Sequence, residues 1–164
     1  MLHLIASVLL WFSAIGCGLM AGVYFAFSTF VMTSLARIDQ GAGIATMNAI
    51  NIDILRSLFM PLFFGTTLAS IALAILGLLN SGHAGAMPTI AGAVIYFTGM
   101  FIVTVVFNVP LNDALAAVDP ASAEAGSIWR RYLSEWTFWN HVRTIASGVA
   151  TALFITALTR AASQ

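Results

Sequence analysis

Polar side chains that could do chemistry collect where long apolar runs end. Asn108 and Asn112 close one run, and Asn140, His141 and Arg143 open another. A charge or a titratable ring at membrane depth is costly, so it indicates function unless packing explains it. The structural alternatives are an Arg143 side chain that reaches water or a carboxylate, and a His141 ring held by a hydrogen bond. We treat these residues as a candidate site.

Their spacing decides which of them can meet. Asn108 and Asn112 are four residues apart, so a helix places both amides on one face, although Pro110 removes a backbone donor between them. His141 and Arg143 point in roughly opposite directions on an ideal helix. The two amides are therefore expected to act together, whereas His141 and Arg143 could share a small ligand only if their side chains curl around it.

The composition is that of a membrane protein. Of the 164 residues, 60% are hydrophobic and 7% are charged, whereas a soluble domain has about 25% charged residues. Membrane lipid is the expected partner. The net charge is zero, so no basic surface is available for nucleic acid.

Four apolar runs are long enough to cross a bilayer as helices, which takes about 20 residues. They cover residues 4–29, 57–79, 88–109 and 141–158. Backbone groups in lipid must be paired within the segment, so helix is expected for each. The sequence predicts an all-α membrane bundle of four transmembrane helices, as a single integral membrane domain over residues 1–164.

Two connections are expected to be ordered. Residues 41–56 predict a short amphipathic helix. Asp119 and Pro120 fit the N-cap and first position of another amphipathic helix between the third and fourth spans, lying along the membrane interface. Its apolar stripe consists of Ile128, Trp129, Tyr132, Leu133 and Trp136.

Arginine counts predict the orientation. The first and third connections carry most of the arginines, so residues 30–56 and 110–140 are predicted to be cytoplasmic, in the inner (plasma) membrane of a bacterium. The arginines counted on that side are Arg37, Arg56, Arg130, Arg131 and Arg143, against Arg160 on the other. All the candidate polar residues then lie at the cytoplasmic end of the bundle.

No metal or cofactor is expected. His3, His83 and His141 have no ligand spacing, and the topology places His141 at the opposite end from the other two. Aromatic residues at the candidate end would suit a flat apolar ligand, with packing as the alternative. They are Phe25, Phe27, Phe30, Phe59, Phe63, Phe64, Phe107, Trp136 and Trp139.

Four stretches resemble a family of small four-helix membrane proteins that includes the fungal anthrone oxygenases. They are GLMAGVYFAFSTFVM (18–32), MNAINIDILRSLFMPLFFGT (47–66), FNVPLNDALAA (107–117) and RRYLSEWTFWNHVRT (130–144). The resemblance implies a four-helix fold and a reaction in which O2 converts the methylene of an anthrone to a quinone carbonyl without metal or flavin. It implies His141 and Arg143 as catalytic residues and Asn108, Asn112, Trp139 and Asn140 as substrate-binding residues. In the mechanism this suggests, His141 is the base, and Arg143 or an amide stabilises the oxyanion.

Two other functions stay open. The chain could be a non-enzymatic membrane accessory or binding protein whose polar motifs pack helices. A solute carrier is disfavoured, because no charged residue is expected mid-span. Small residues on the first helix are compatible with packing within one chain or in a homo-oligomer.

Overall fold

The computed structural model describes the backbone of residues 2–162 and the side chains of residues 4–161. All regular secondary structure in that part of the chain is helical. We number the helices α1 (Leu4–Leu35), α2 (Gln40–Ile54), α3 (Phe59–Leu79), α4 (Ala86–Ala117) and α5 (Ala125–Ala161). The predicted all-α class is confirmed.

Four of the helices, α1, α3, α4 and α5, are long and apolar enough to cross a membrane. Only 28–39% of the residues in their most apolar windows are buried inside the protein, so their outer surface is itself apolar and fits lipid rather than water. In the bundle, α1 packs against α3 and α5, and α4 packs against the same two helices. The chain is a membrane protein built on a ring of four antiparallel helices.

The short helix α2 lies across one end of this ring. Its N-cap is Asp39, whose carboxylate accepts a hydrogen bond of 3.0 Å from the backbone N–H of Ala42. Ile44 and Met47 are fully buried against α4 and α5. The helix predicted over residues 41–56 is therefore confirmed, with its apolar face closing the bundle.

The helix ends differ from the predicted spans, because packing extends the helices beyond the apolar runs. The amphipathic segment predicted before the fourth span is helical, but it runs without a break into that span as the first part of α5. Trp129, Tyr132 and Trp136 are buried between α5 and its neighbours. The predicted start at Pro120 is wrong: Asp119 caps a turn at the N–H of Ala121, and α5 begins at Ala125.

Three spanning helices contain π-helical turns at the α2 end of the bundle. These turns are Phe27–Val31 in α1, Phe97–Ile102 and Thr104–Asn108 in α4, and Tyr132–Trp136 in α5. The second turn in α4 ends just before Pro110, which has no N–H to continue the α-helical hydrogen bonds. Wide turns of this kind are frequent at functional sites, and here they surround one cavity.

Candidate functional site

A cavity of about 570 Å³ lies at the α2 end of the bundle. The second half of α1, the first turns of α3, the second half of α4 and the first half of α5 form its walls, and α2 covers it. This volume is in the range of small-molecule sites. The aromatic residues that line it are Tyr24, Phe27, Phe59, Phe63, Phe64, Phe101 and Trp136. The cavity is shaped by flat apolar rings.

One cation, Arg143, lines the cavity from the bundle interior. The residue is only 5% exposed. Its guanidinium carbon lies 4.3 Å from the ring centre of Tyr24 and 5.0 Å from that of Trp136. Both distances are within the range of cation–π attraction. The charge is thus held between two aromatic faces.

Neutral groups make the hydrogen bonds of this guanidinium. Nη2 donates to the side-chain oxygen of Asn140 at 2.6 Å, and Nη1 donates to the hydroxyl of Thr104 at 3.4 Å. Nε has no partner. The ion pair found among the described side chains joins Arg131 to Glu135 on the outer surface at 3.0 Å. Arg143 is therefore a buried cation that forms no ion pair with any described carboxylate.

Asn140 holds Arg143 in place. Its side-chain N–H groups donate to the backbone carbonyl of Tyr24 and to the hydroxyl of Ser28, both at 2.7 Å, while its oxygen accepts from Arg143. The residue is fully buried. Because its amide is occupied by protein groups, Asn140 positions Arg143 and ties α5 to α1.

The two asparagines of α4 have different positions. Asn112 lines the cavity and accepts a hydrogen bond of 2.8 Å from the hydroxyl of Tyr132. Asn108 is buried outside the cavity lining and donates to the backbone carbonyl of Trp136 at 3.2 Å. Asn112 can meet a ligand, whereas Asn108 joins α4 to the π-helical turn of α5.

The remaining predicted site residues lie away from the cavity. Trp139 stacks on Phe107 with ring centres 3.7 Å apart, and neither residue lines the cavity. The side chain of His141 is exposed on the outer face of α5, whereas Arg143 faces inward. The structure therefore does not bring His141 and Arg143 together.

Four polar cavity residues were not among the residues predicted for the site. Thr104 stands four residues before Asn108, so the helical spacing that paired the asparagines of α4 could also have found it. Asp113 is the carboxylate on the cavity wall, and α2 contributes Asn48 and Asn51. The sequence of α2 does not show that this helix covers the cavity, because its position depends on the packing of α2 against α4 and α5.

No metal site is indicated by the described side chains. They contain no group of three or more His, Cys, Asp or Glu residues that could hold a metal ion. His3, one of the histidines considered from the sequence, lies outside the described side chains.

Comparison with known protein families decides the relationship. A family model described as anthrone oxygenase matches residues 55–153, which is more than half of the chain. The chain belongs to the anthrone oxygenase family. No curated protein and no solved structure gives a match.

The region matched to the anthrone oxygenase family includes the charged part of the cavity. It contains α3, α4 and most of α5, and hence Thr104, Asn112, Asp113 and Arg143. The walls from α1 and α2 lie outside the match. In this member of the family, the arrangement places a buried cation beside aromatic walls, and such a cation can stabilise negative charge on an oxygen.

Proposed function

We propose that the protein is a membrane-bound oxygenase that oxidises a flat phenolic or anthrone-type substrate with O2 and uses no cofactor. The observation that carries the proposal is the aromatic cavity with a single buried cation, Arg143, on its wall. Membership of the anthrone oxygenase family supports the choice of substrate class. A flat ring fits between the aromatic walls, and its polar edge faces the guanidinium.

The reaction needs a stabilised anion and O2. Removal of a proton from the ring methylene leaves a carbanion whose charge is shared with the ring oxygen, and Arg143 stabilises that oxygen. The carbanion transfers one electron to O2, and the resulting radical and superoxide combine to form a C–O bond. Protonation gives a hydroperoxide. Loss of the remaining C–H proton and cleavage of the O–O bond release water and leave the carbonyl.

This sequence balances without a further reductant. The conversion of the methylene to a carbonyl gives up four electrons, which reduce one O2. One oxygen atom stays in the product and the other leaves as water. The protein therefore has to hold the ring, stabilise its oxyanion and accept a proton.

The proton acceptor has to lie within hydrogen-bond reach of the substrate, directly or through one water. His141, the base expected from the sequence, is exposed and does not line the cavity, whereas Asp113, although also exposed, lines it. We therefore assign the base to Asp113. Replacement Asp113→Asn is expected to lower the rate about 10²–10⁴-fold, and His141→Ala is expected to leave it unchanged.

Oxygen uptake by the purified protein in lipid nanodiscs, supplied with an anthrone, tests the oxygenase. Uptake above that of empty nanodiscs is expected, with one atom of ¹⁸O from ¹⁸O2 in the new carbonyl. Arg143→Gln should lower the rate about 10²–10³-fold, as for loss of an oxyanion donor. Arg131→Gln, which removes the same charge from the outer surface, is the control. Uptake equal to that of empty nanodiscs would favour the binding-protein alternative.

A further inference from the structure

We propose that the cavity binds its ligand as an anion: the ionised oxygen of a phenol or enol on a planar ring is the counterion of Arg143. This inference rests on the proposed substrate class and narrows it, because it requires an ionisable oxygen at the ring edge. It concerns the charge of the bound ligand before any reaction with O2.

The first step of the argument is the charge balance around Arg143. A buried charge is costly unless an opposite charge is close to it. All six acidic residues of the chain have described side chains, and the ion pair among them joins Glu135 to Arg131. The partners of Arg143 are an amide, a hydroxyl and two aromatic rings, which carry no net charge. None of these groups is a counterion, and Asp113, the carboxylate on the cavity wall, makes no ion pair with Arg143.

The second step excludes escape of the charge to water. A long side chain near a helix end can extend its charged group to the membrane surface. Arg143, however, is buried, with only 5% of the residue exposed. Its guanidinium is turned inward and fixed by Asn140. The remaining access to this group is from the cavity that Arg143 lines.

The third step concerns the shape of the anion. Most of the cavity wall around Arg143 is aromatic or aliphatic, and the rings of Phe59 and Phe63 stack with centres 5.9 Å apart. A small hydrated anion would lose its water to an apolar wall at high cost. A planar ring with one ionised oxygen can pack against the apolar wall and pair with the cation. The geometry therefore points to an aromatic phenolate or enolate.

The bound form of a probe that cannot be oxygenated tests this directly. The probe is 2-hydroxyanthraquinone, whose phenol and phenolate absorb at different wavelengths, titrated with pH in nanodiscs that contain the protein and in empty ones. An opposite charge within about 4–6 Å favours the ionised form by roughly tenfold or more. We expect at least a tenfold preference for the phenolate. The methyl ether of the probe, which cannot ionise, should bind at least tenfold more weakly at a pH where the probe is ionised.

Two variants separate the counterion role from a general charge effect. Arg143→Met should abolish the preference, and Arg131→Met, which removes an exposed cation outside the cavity, should retain it. Thermal unfolding of the ligand-free Arg143→Met protein checks that the variant folds, since loss of the guanidinium also leaves the buried side-chain oxygen of Asn140 without its donor.

Several results would overturn the proposal. These are equal binding of the phenol and the phenolate, a preference that survives in Arg143→Met, and binding of neither form. The outcome is independent of the oxygen-uptake assay. A clear phenolate preference without oxygen uptake would contradict the proposed oxygenase and support the anion site. Oxygen uptake without a phenolate preference would support the oxygenase and contradict the anion site.

Discussion

At the scale of single residues, Arg143 and Asn140 of α5 have different roles in the site. Arg143 lines the cavity with a positive charge, whereas the side chain of Asn140 forms hydrogen bonds with Tyr24, Ser28 and Arg143. The sequence indicated that both were polar groups in an apolar setting. It could not tell a ligand-binding amide from a positioning amide, since that depends on which atoms of α1 lie opposite.

Loss of the Asn140 side chain should destabilise the fold. Asn140→Ala removes the three buried hydrogen bonds that Asn140 makes to the Tyr24 carbonyl, the Ser28 hydroxyl and the Arg143 guanidinium, at a cost of roughly 2–4 kcal/mol. Thermal unfolding in detergent measures the effect. Asn80→Ala is the control, because that exposed amide donates to the Leu76 carbonyl at the end of α3 and does not join two helices through this bond. Equal melting temperatures for the two variants would contradict the positioning role.

His141 and Arg143 show what helical geometry alone can predict. The sequence placed them on different faces of one helix, and the structure confirms this: one side chain is exposed and the other is buried. The pairing of Asn108 with Asn112 was less successful. Both lie on the inner side of α4, but the π-helical turn before Pro110 and the position of α5 direct Asn108 to a backbone carbonyl.

At the scale of elements, α2 forms one wall of the cavity. Six of its residues, Met47, Asn48, Ile50, Asn51, Ile52 and Ile54, line the cavity. The helix is anchored near its start, where Gly43 lies against Trp129 and the backbone of Leu35. A Cβ at Gly43 would come within 2.9 Å of Cζ2 of Trp129 and 3.2 Å of the Leu35 carbonyl oxygen. This close approach allows α2 to lie flat on the bundle.

Gly43→Val should therefore loosen α2. The backbone of Leu35 cannot move aside as a flexible side chain would, and overpacking of this kind costs about 1–3 kcal/mol. Exposed arginines flank the helix at Arg37 and Arg56, so trypsin should cleave at these sites faster in the variant. Ala45→Val, on the exposed face of α2, should be cleaved at the wild-type rate. Unchanged cleavage of Gly43→Val would show that α2 does not need this contact.

The number of helices could be predicted from the sequence, but their ends could not. Length and hydropathy identify four spans because each must cross the same thickness of hydrocarbon. A helix can continue into water when its apolar stripe finds a partner, and this is what extends α4 to Ala117 and starts α5 at Ala125. The partner in both cases includes α2, whose position is a tertiary property.

At the scale of the whole molecule, the two ends of the bundle differ in charge. A second cavity, of about 450 Å³, lies at the end opposite α2 and is lined mainly by small apolar side chains, with Asn80, His83 and Thr89. Its lining includes no Asp, Glu, Lys or Arg. The cation, the carboxylate and the π-helical turns all belong to the α2 end. The side of the membrane that this end faces therefore determines the compartment with which the site exchanges protons and water.

The exposed arginines predict that the α2 end faces the cytoplasm. Arg143 no longer counts as a flanking charge, because it lies inside the bundle. The bias remains after its removal: four exposed arginines, Arg37, Arg56, Arg130 and Arg131, stand at the α2 end, and Arg160 stands at the other. Positive residues near the ends of membrane helices are retained on the cytoplasmic side.

Single cysteines on the two sides test this orientation. In a Cys17→Ala background, Ser127→Cys lies beside the start of α5 and Ser81→Cys lies in the connection between α3 and α4, and both positions are exposed. A membrane-impermeant maleimide should label Ser127→Cys only in inside-out vesicles and Ser81→Cys only in right-side-out vesicles. The opposite pattern would mean that the bundle has the reverse orientation. The proposed base, Asp113, would then exchange its proton with the outside. Labelling of both positions from one side would contradict four crossings, because α4 crosses the membrane between residues 81 and 127.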